Sequence, residues 1–392
     1  MMATDFVGQA QALRERLIER RRDFHRHPEL AFEEERTAGV VANTLTNLGL
    51  EVQTGIGKTG VVGILEGDQP GLTVLVRADM DALPVREDTG AAYSSEISGK
   101  MHACGHDGHT SIALGAAELL APLRDQIRGR IKFVFQPAEE IGQGADAMVA
   151  DGVMNDPAPD VTVGLHLWNS LPLGVVGMAD GPIMAGALTF NITIRGRGGH
   201  AASPHQTIDP VVCAAQIVTA LQTIVSRNAD PFDSAVVSVT CIDAGEAYNV
   251  IPQAAELKGT VRYFRNEVRD LVTSRMRQIA ENIALAMNCT AEVNLSPMTK
   301  PVVNNSAVRE RLLPVFENIL GADKIEAIRT MGAEDVGVFM TEVPGVYFFV
   351  GAKDETADSY YPHHHPRFTI NEEALPLGLA LLTSAIAEYV LP

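Results

Sequence analysis

The sequence predicts an α/β protein in two parts: a larger domain on a mixed or parallel sheet with helices on both faces, and a smaller α+β domain inserted into it. Three observations carry this reading. Continuous apolar runs alternate with amphipathic segments through the first half of the chain. From about residue 186 the rhythm changes to strand, helix, strand, strand, helix, strand. The chain has 392 residues, 46% hydrophobic and 20% charged, which is long for one core and far from the composition of a disordered protein.

In order, helical periodicity covers roughly 6–24 and 33–48. Apolar runs at 61–65, 72–76, 131–135 and 161–165 read as strands, with helices near 110–123 and 143–151. Late in the chain 346–350 is another strand and 372–390 a closing helix. These strands lack in-and-out alternation, as expected of a sheet covered on both faces. Between the halves, strand 188–195, helix 209–226, strands 235–242 and 255–263, helix 267–287 and strand 290–295 follow the βαββαβ order of a ferredoxin-like motif. Phe190, Ile192 and Ile194 alternate along the first of these strands, which suits a half-exposed antiparallel sheet. The expected boundaries are 1–185 with 297–392 for the larger, catalytic domain and 186–296 for an inserted lid or dimerisation domain.

With 49 acidic against 31 basic side chains the net charge is −18, which disfavours nucleic acid and anionic membranes as partners. A small molecule is the expected ligand. Cys104, Cys213, Cys241 and Cys289 are scattered without a Cys-x-x-Cys pair, unlike a secreted disulfide framework. No apolar leader core precedes the charged stretch 14–22, so a cytoplasmic location is expected. The most apolar long stretch, 375–391, contains Pro376 and Glu388 and reads as a buried C-terminal helix rather than a membrane span.

Chemistry concentrates in His102-Ala103-Cys104-Gly105-His106-Asp107-Gly108-His109. Imidazole, thiolate and carboxylate are the side chains that bind borderline transition metals, and the two glycines let the backbone turn so that they converge. Other donors stand just past predicted strands: Asp79 and Asp81, Glu139 and Glu140, His166, and His363-His364-His365. Open α/β sheets bind ligands outside the carboxyl ends of their strands. An acidic pair by itself also suits a helix N-terminus, but four such endings together with the octet point to a metal centre.

These motifs, with Phe135-Gln136-Pro137-Ala138-Glu139-Glu140, Gly199-His200-Ala201-Ala202, Asn249-Val250-Ile251-Pro252 and Gly332-Ala333-Glu334-Asp335, resemble those of metal-dependent N-acyl-amino-acid amidohydrolases. That family includes hippurate hydrolases and auxin-conjugate hydrolases and is similar in fold to dinuclear-zinc aminoacylases and glutamate carboxypeptidases. The resemblance runs from His25-Arg26-His27-Pro28-Glu29 to the last helix. It implies two divalent metal ions per subunit, zinc, manganese or cobalt, held by Cys104, His106, Glu140, His166 and His364. It also implies Glu139 as the catalytic acid and base, and His200 as an oxyanion contact reaching an active site, commonly the partner subunit's. Asn249 is implied as a substrate-carboxylate contact, and Arg262 is a further candidate for that carboxylate. Asp79 and Asp81 are expected to line the site or orient a ligand histidine.

Relatives usually carry Phe-Ser where this chain has Val336-Gly337, which puts the usual aryl-acyl preference in doubt. The expected function is hydrolysis of an N-acyl amino acid by a metal-activated water, in a homodimer or higher homo-oligomer. The alternatives are a dipeptidase or carboxypeptidase with the same centre, or a non-catalytic metal-binding or ligand-binding protein of this fold.

Overall fold

The computed structural model describes residues 5–354 and 360–392. The chain forms two compact units: Met1–Ile183 with Val302–Arg329 and Glu334–Pro392, and Met184–Pro301 with Thr330–Ala333.

The first unit holds an eight-stranded mixed sheet. Its strand order is Glu51–Ile56, Gly60–Glu66, Arg128–Gln136, Gln69–Asp79, Val161–Trp168, Gly345–Gly351, Val176–Gly177 and Ile325–Glu326. The four strands from Arg128–Gln136 to Gly345–Gly351 run parallel to one another. All seven residues of Gly345–Gly351 are buried, as are the first seven of Val161–Trp168, so side chains of both parities are covered and the sheet has protein on both faces. Helices His106–Leu120 and Ala374–Val390 supply much of that cover. Ile112, Leu114, Leu379 and Leu381 join Val76, Val163, Leu165 and Phe348 in one core.

The predicted strands all form. Glu51–Ile56 adds an edge strand that periodicity leaves unassigned, because it is polar and mostly exposed. The predicted helix at 6–24 is two helices, Phe6–Ala12 and Arg14–Arg26. The helix Ser306–Leu320 also lies outside the periodic segments named above. The C-terminal helix Ala374–Val390 is buried as expected.

The second unit carries an antiparallel sheet in the order Thr290–Thr299, Gly181–Arg195, Ala254–Tyr263, Ala235–Asp243. Helices Pro210–Arg227 and Asn266–Ala286 complete the ferredoxin-like βαββαβ order. Its own core gathers Phe190, Ile192 and Ile194 with Ile217, Leu221, Val272 and Met276. Pro210–Arg227 is long and apolar enough to cross a membrane by length and composition, but Cys213, Ile217, Leu221 and Ile224 bury one of its faces in this core. Short segments Gly199–His200 and Val250–Ile251 pair separately.

Candidate metal centre

Strand ends and one helix start meet in the first unit. Gln69–Asp79 ends on Asp79 with Asp81 two residues beyond, and Arg128–Gln136 leads into Glu139 and Glu140. His166 lies inside strand Val161–Trp168 rather than past its end. The octet is not simply a loop: His106 opens helix His106–Leu120, and Gly105 at its N-cap takes the left-handed conformation that turns the chain in from Cys104. Gly108 makes no turn. It lies within the helix, where an added Cβ would come 2.4 Å from Leu167 Cδ1, so the missing side chain lets helix and strand approach.

Hydrogen bonds assign the histidines. His106 donates through Nδ1 to the Asp81 carbonyl at 2.8 Å, and His166 donates through Nδ1 to the Leu167 carbonyl at 2.8 Å. Both therefore aim Nε2 into the site, the arrangement in which a carbonyl fixes a ligand histidine. His109 accepts the Leu167 N–H on Nε2 at 2.8 Å and donates through Nδ1 to Asp79 at 2.6 Å, so neither nitrogen is left for a metal. His102 is buried with neither ring nitrogen hydrogen-bonded among the described residues, and burial pulls its pKa to about 4.

Among the described residues, four sets of donors around the octet have ligand atoms within 4.8 Å of one another: Cys104 with His106 and His166, Asp79 with His106 and His109, Cys104 with Glu140 and His364, and His106 with Glu139 and Glu140. Cys104 belongs to the first and third of these. Of the three adjacent histidines, His363 places Nε2 3.1 Å from the Leu167 carbonyl and His365 accepts the Arg367 N–H on Nδ1, whereas His364 Nε2 lies 3.4 Å from Glu140 Oε2.

This set fits a divalent cation. His106 Nε2 and Glu140 Oε1 are buried without a hydrogen-bond partner among the described residues, an arrangement that is costly unless something binds there. Burial, joined by Glu140, pushes the Cys104 thiol well above its usual pKa, and burial raises Glu140 to about 8. Burial disfavours charge on His106, yet Asp79, Asp81 and Cys104 together raise its proton affinity, and a metal competes for that same position.

Asp81 does more than the sequence suggests. Its carbonyl orients His106, while its carboxylate accepts the Glu139 and Glu140 amides, each at 3.0 Å. One side chain thus aims both acids. Asp79 is held by His109 and by Arg77, whose buried guanidinium also donates to Gln136, Glu334 and Asp335. Glu139, Glu334 and Asp335 form a further acidic group within 4.8 Å. Arg77 was not foreseen as part of the site, although an arginine ending an apolar strand is the kind of signal that finds a buried counter-charge.

His200, Asn249 and Arg262 lie in the second unit. His200 and Asn249 are exposed neighbours, joined through the Ala201 N–H to the Asn249 carbonyl at 3.1 Å. Arg262 is half-buried and donates within its own strand to Thr260 and Val261.

Parallel strands of a mixed sheet and one helix start that together bring buried thiol, imidazole and carboxylate donors beside a free acid are the arrangement of a metal-dependent hydrolase. The sequence profile of Peptidase family M20/M25/M40 matches residues 75–388, and the chain belongs to that family. Thermostable carboxypeptidase 2 of Saccharolobus solfataricus is 41% identical over 366 residues, 92% of each chain. N-acetylcysteine deacetylase of Bacillus subtilis is 39% identical over 369 residues, 94% of this chain and 95% of the relative. The crystal structure of Bacillus subtilis YxeP, described as a dinuclear metal binding peptidase of the M20 family, matches with a TM-score of 0.83 and 35% identity over 96% of this chain and 98% of its own. The expected kinship with metal-dependent amidohydrolases holds, and the protein is an enzyme acting on amides.

Proposed function

We propose that the protein hydrolyses the amide bond of N-acyl amino acids, releasing a carboxylic acid and the free amino acid. The observation that carries this reading is the Glu139–Glu140 pair: Asp81 grips both amides, Glu140 joins Cys104 and His364, and Glu139 stands beside them facing Glu334 and Asp335.

Cys104, His106, Glu140, His166 and His364 would hold two divalent ions, of zinc, manganese or cobalt. Two donor groups that meet at Cys104 support the count, as does the dinuclear description of the YxeP structure. When bound, the ions supply Lewis acidity, polarising the amide carbonyl and making water acidic enough to attack near neutral pH. Glu139 takes one proton from the attacking water and delivers it to the leaving nitrogen, so that acid and amine separate. Burial, with Glu334 and Glu140, raises the Glu139 pKa well above the ordinary carboxylate range, which suits a group that must both take and give that proton.

The second unit is assigned the substrate contacts. His200 accepts the Ala202 N–H on Nδ1 at 3.0 Å, which leaves Nε2–H as an exposed donor for a developing oxyanion. Asn249 beside it and Arg262 are assigned to the substrate carboxylate. Unit boundaries near 186 and 296, a homodimer or higher homo-oligomer and a cytoplasmic location belong to the same proposal.

A second reading, a carboxypeptidase with this centre, is favoured by the 41% identity to a named carboxypeptidase. The deciding experiment is metal-stripped protein resupplied with zinc, manganese or cobalt and assayed on N-acetyl amino acids, hippurate and dipeptides. Metal-dependent release of amino acid from the acylated substrates supports the first reading. Turnover of peptides alone selects the second.

A further inference from the structure

We propose that Glu34 is a positioning residue for the turn that carries Glu139, an inference that rests on the reading of Glu139 as the proton-transfer group. Glu34 stands at the N-cap of helix Glu35–Asn47 but does not cap it. Glu29 does that work, accepting the N–H groups of Arg36 and Thr37 at 2.8 Å each. Glu34 is fully buried, and its carboxylate turns elsewhere. Its Oε1 accepts the Phe32 N–H at 3.0 Å and the Ala138 N–H at 2.9 Å, while Oε2 accepts the Thr59 hydroxyl.

Ala138 is the residue before Glu139, and its φ of 54° lies in the left-handed region that a residue with a Cβ seldom adopts. Such a conformation persists only where its surroundings over-determine it. Here three successive amides are held by two buried carboxylates from distant segments: Ala138 by Glu34, then Glu139 and Glu140 by Asp81. The Ala138 carbonyl in turn accepts the amides of Gln143 and Gly144 at 3.3 and 3.2 Å. An apolar residue at 34 would fill the same space without the solvation cost that burial imposes on a carboxylate. What it would not supply is the acceptor for Ala138.

The test compares Glu34→Asp, Glu34→Gln, Thr59→Val, Glu29→Ala and Glu139→Gln in the full chain, loaded with zinc and assayed on the best substrate of the panel above. Glu34→Asp withdraws the carboxylate by one methylene but keeps the charge, and Glu34→Gln keeps the reach and an acceptor oxygen. The expected result for Glu34→Asp is a fall in kcat of about tenfold to a hundredfold, with KM and bound zinc unchanged. Glu34→Gln recovers most of that loss. Thr59→Val, which frees Oε2 and leaves Glu34 in place, gives a smaller fall in the same direction and decides the matter should Glu34→Asp not fold. Glu29→Ala lowers Tm but leaves kcat alone.

Amide hydrogen exchange on metal-free protein gives a reading that needs no activity: Glu34→Asp speeds exchange across 138–140 and Glu29→Ala does not. Parent-like kcat in both Glu34→Asp and Thr59→Val overturns the inference, as does a loss that merely follows lost zinc. If Glu139→Gln itself keeps full turnover, the reading of Glu139 fails first, and the two failures are distinguishable.

Discussion

Cys104 is shared by two of the donor groups, with His106 and His166 and with Glu140 and His364, so its replacement tests both at once. Cys104→Ser is expected to lower bound zinc well below the parent while leaving the fold intact, since the thiol is small and buried among polar groups; metal analysis with circular dichroism checks both. Asp81→Ala removes the acceptor shared by the Glu139 and Glu140 amides. Metal affinity should then fall about tenfold to a hundredfold, measured by competition with a chelator. The donors themselves were legible in the sequence because thiols, imidazoles and acids cluster there against a low background. Their supports were legible only in part: Asp79 and Asp81 were expected to line the site or orient a histidine, but the grip of Asp81 on two amides and the role of Glu34 were not. Asp81 and Glu34 act on backbone amides, and an amide leaves no trace in a residue pattern. The choice among His363, His364 and His365 likewise depends on what each ring meets: a carbonyl for His363, the Glu140 carboxylate for His364 and a backbone N–H for His365.

At the scale of elements, the start of helix His106–Leu120 ties the centre to the packing behind it. Asp107, one residue past His106, is buried against Arg21 and His25, at 2.7 and 2.8 Å. Burial works against its charge, but the Arg21 guanidinium and the His25 ring outweigh it and hold the carboxyl far below its usual range. Asp107→Ala leaves Arg21 buried without its main partner and is expected to cost about 3–5 kcal/mol, read as a fall in urea midpoint. Glu87 belongs to the same network. Burial opposes its ionisation too, yet hydrogen bonds from His25, the Ser95 amide and Thr89 bring its pKa down to about 2.

A carboxyl with a depressed folded pKa binds fewer protons folded than unfolded, so its stabilisation is complete above the unfolded value and is lost as pH falls through the folded one. Tm of the parent should therefore drop between pH 4.5 and about 2, and Glu87→Gln should flatten that drop. Element types were legible where apolar runs are continuous. The polar edge strand Glu51–Ile56 and the break between Phe6–Ala12 and Arg14–Arg26 were not, because neither changes the hydrophobic pattern.

For the whole molecule, each unit has its own core. The segment 184–301, expressed alone, is expected to unfold cooperatively in urea and to bind no zinc, since the donor groups all lie in the other unit. Non-cooperative unfolding of that segment would show that its sheet depends on the chain returning at Thr330–Ala333.

The βαββαβ order of this unit was legible in the sequence as alternating strand and helix periods. Its return strand was not, since Thr330–Ala333 contributes only four residues to the sheet.

In this reading Glu139 moves the proton while its neighbour Glu140 binds metal. The most direct measurement is turnover by Glu139→Gln set against its metal content. A loss of about a hundredfold to ten-thousandfold is expected, with metal retained at the parent level. Parent-like turnover with full metal content would contradict it.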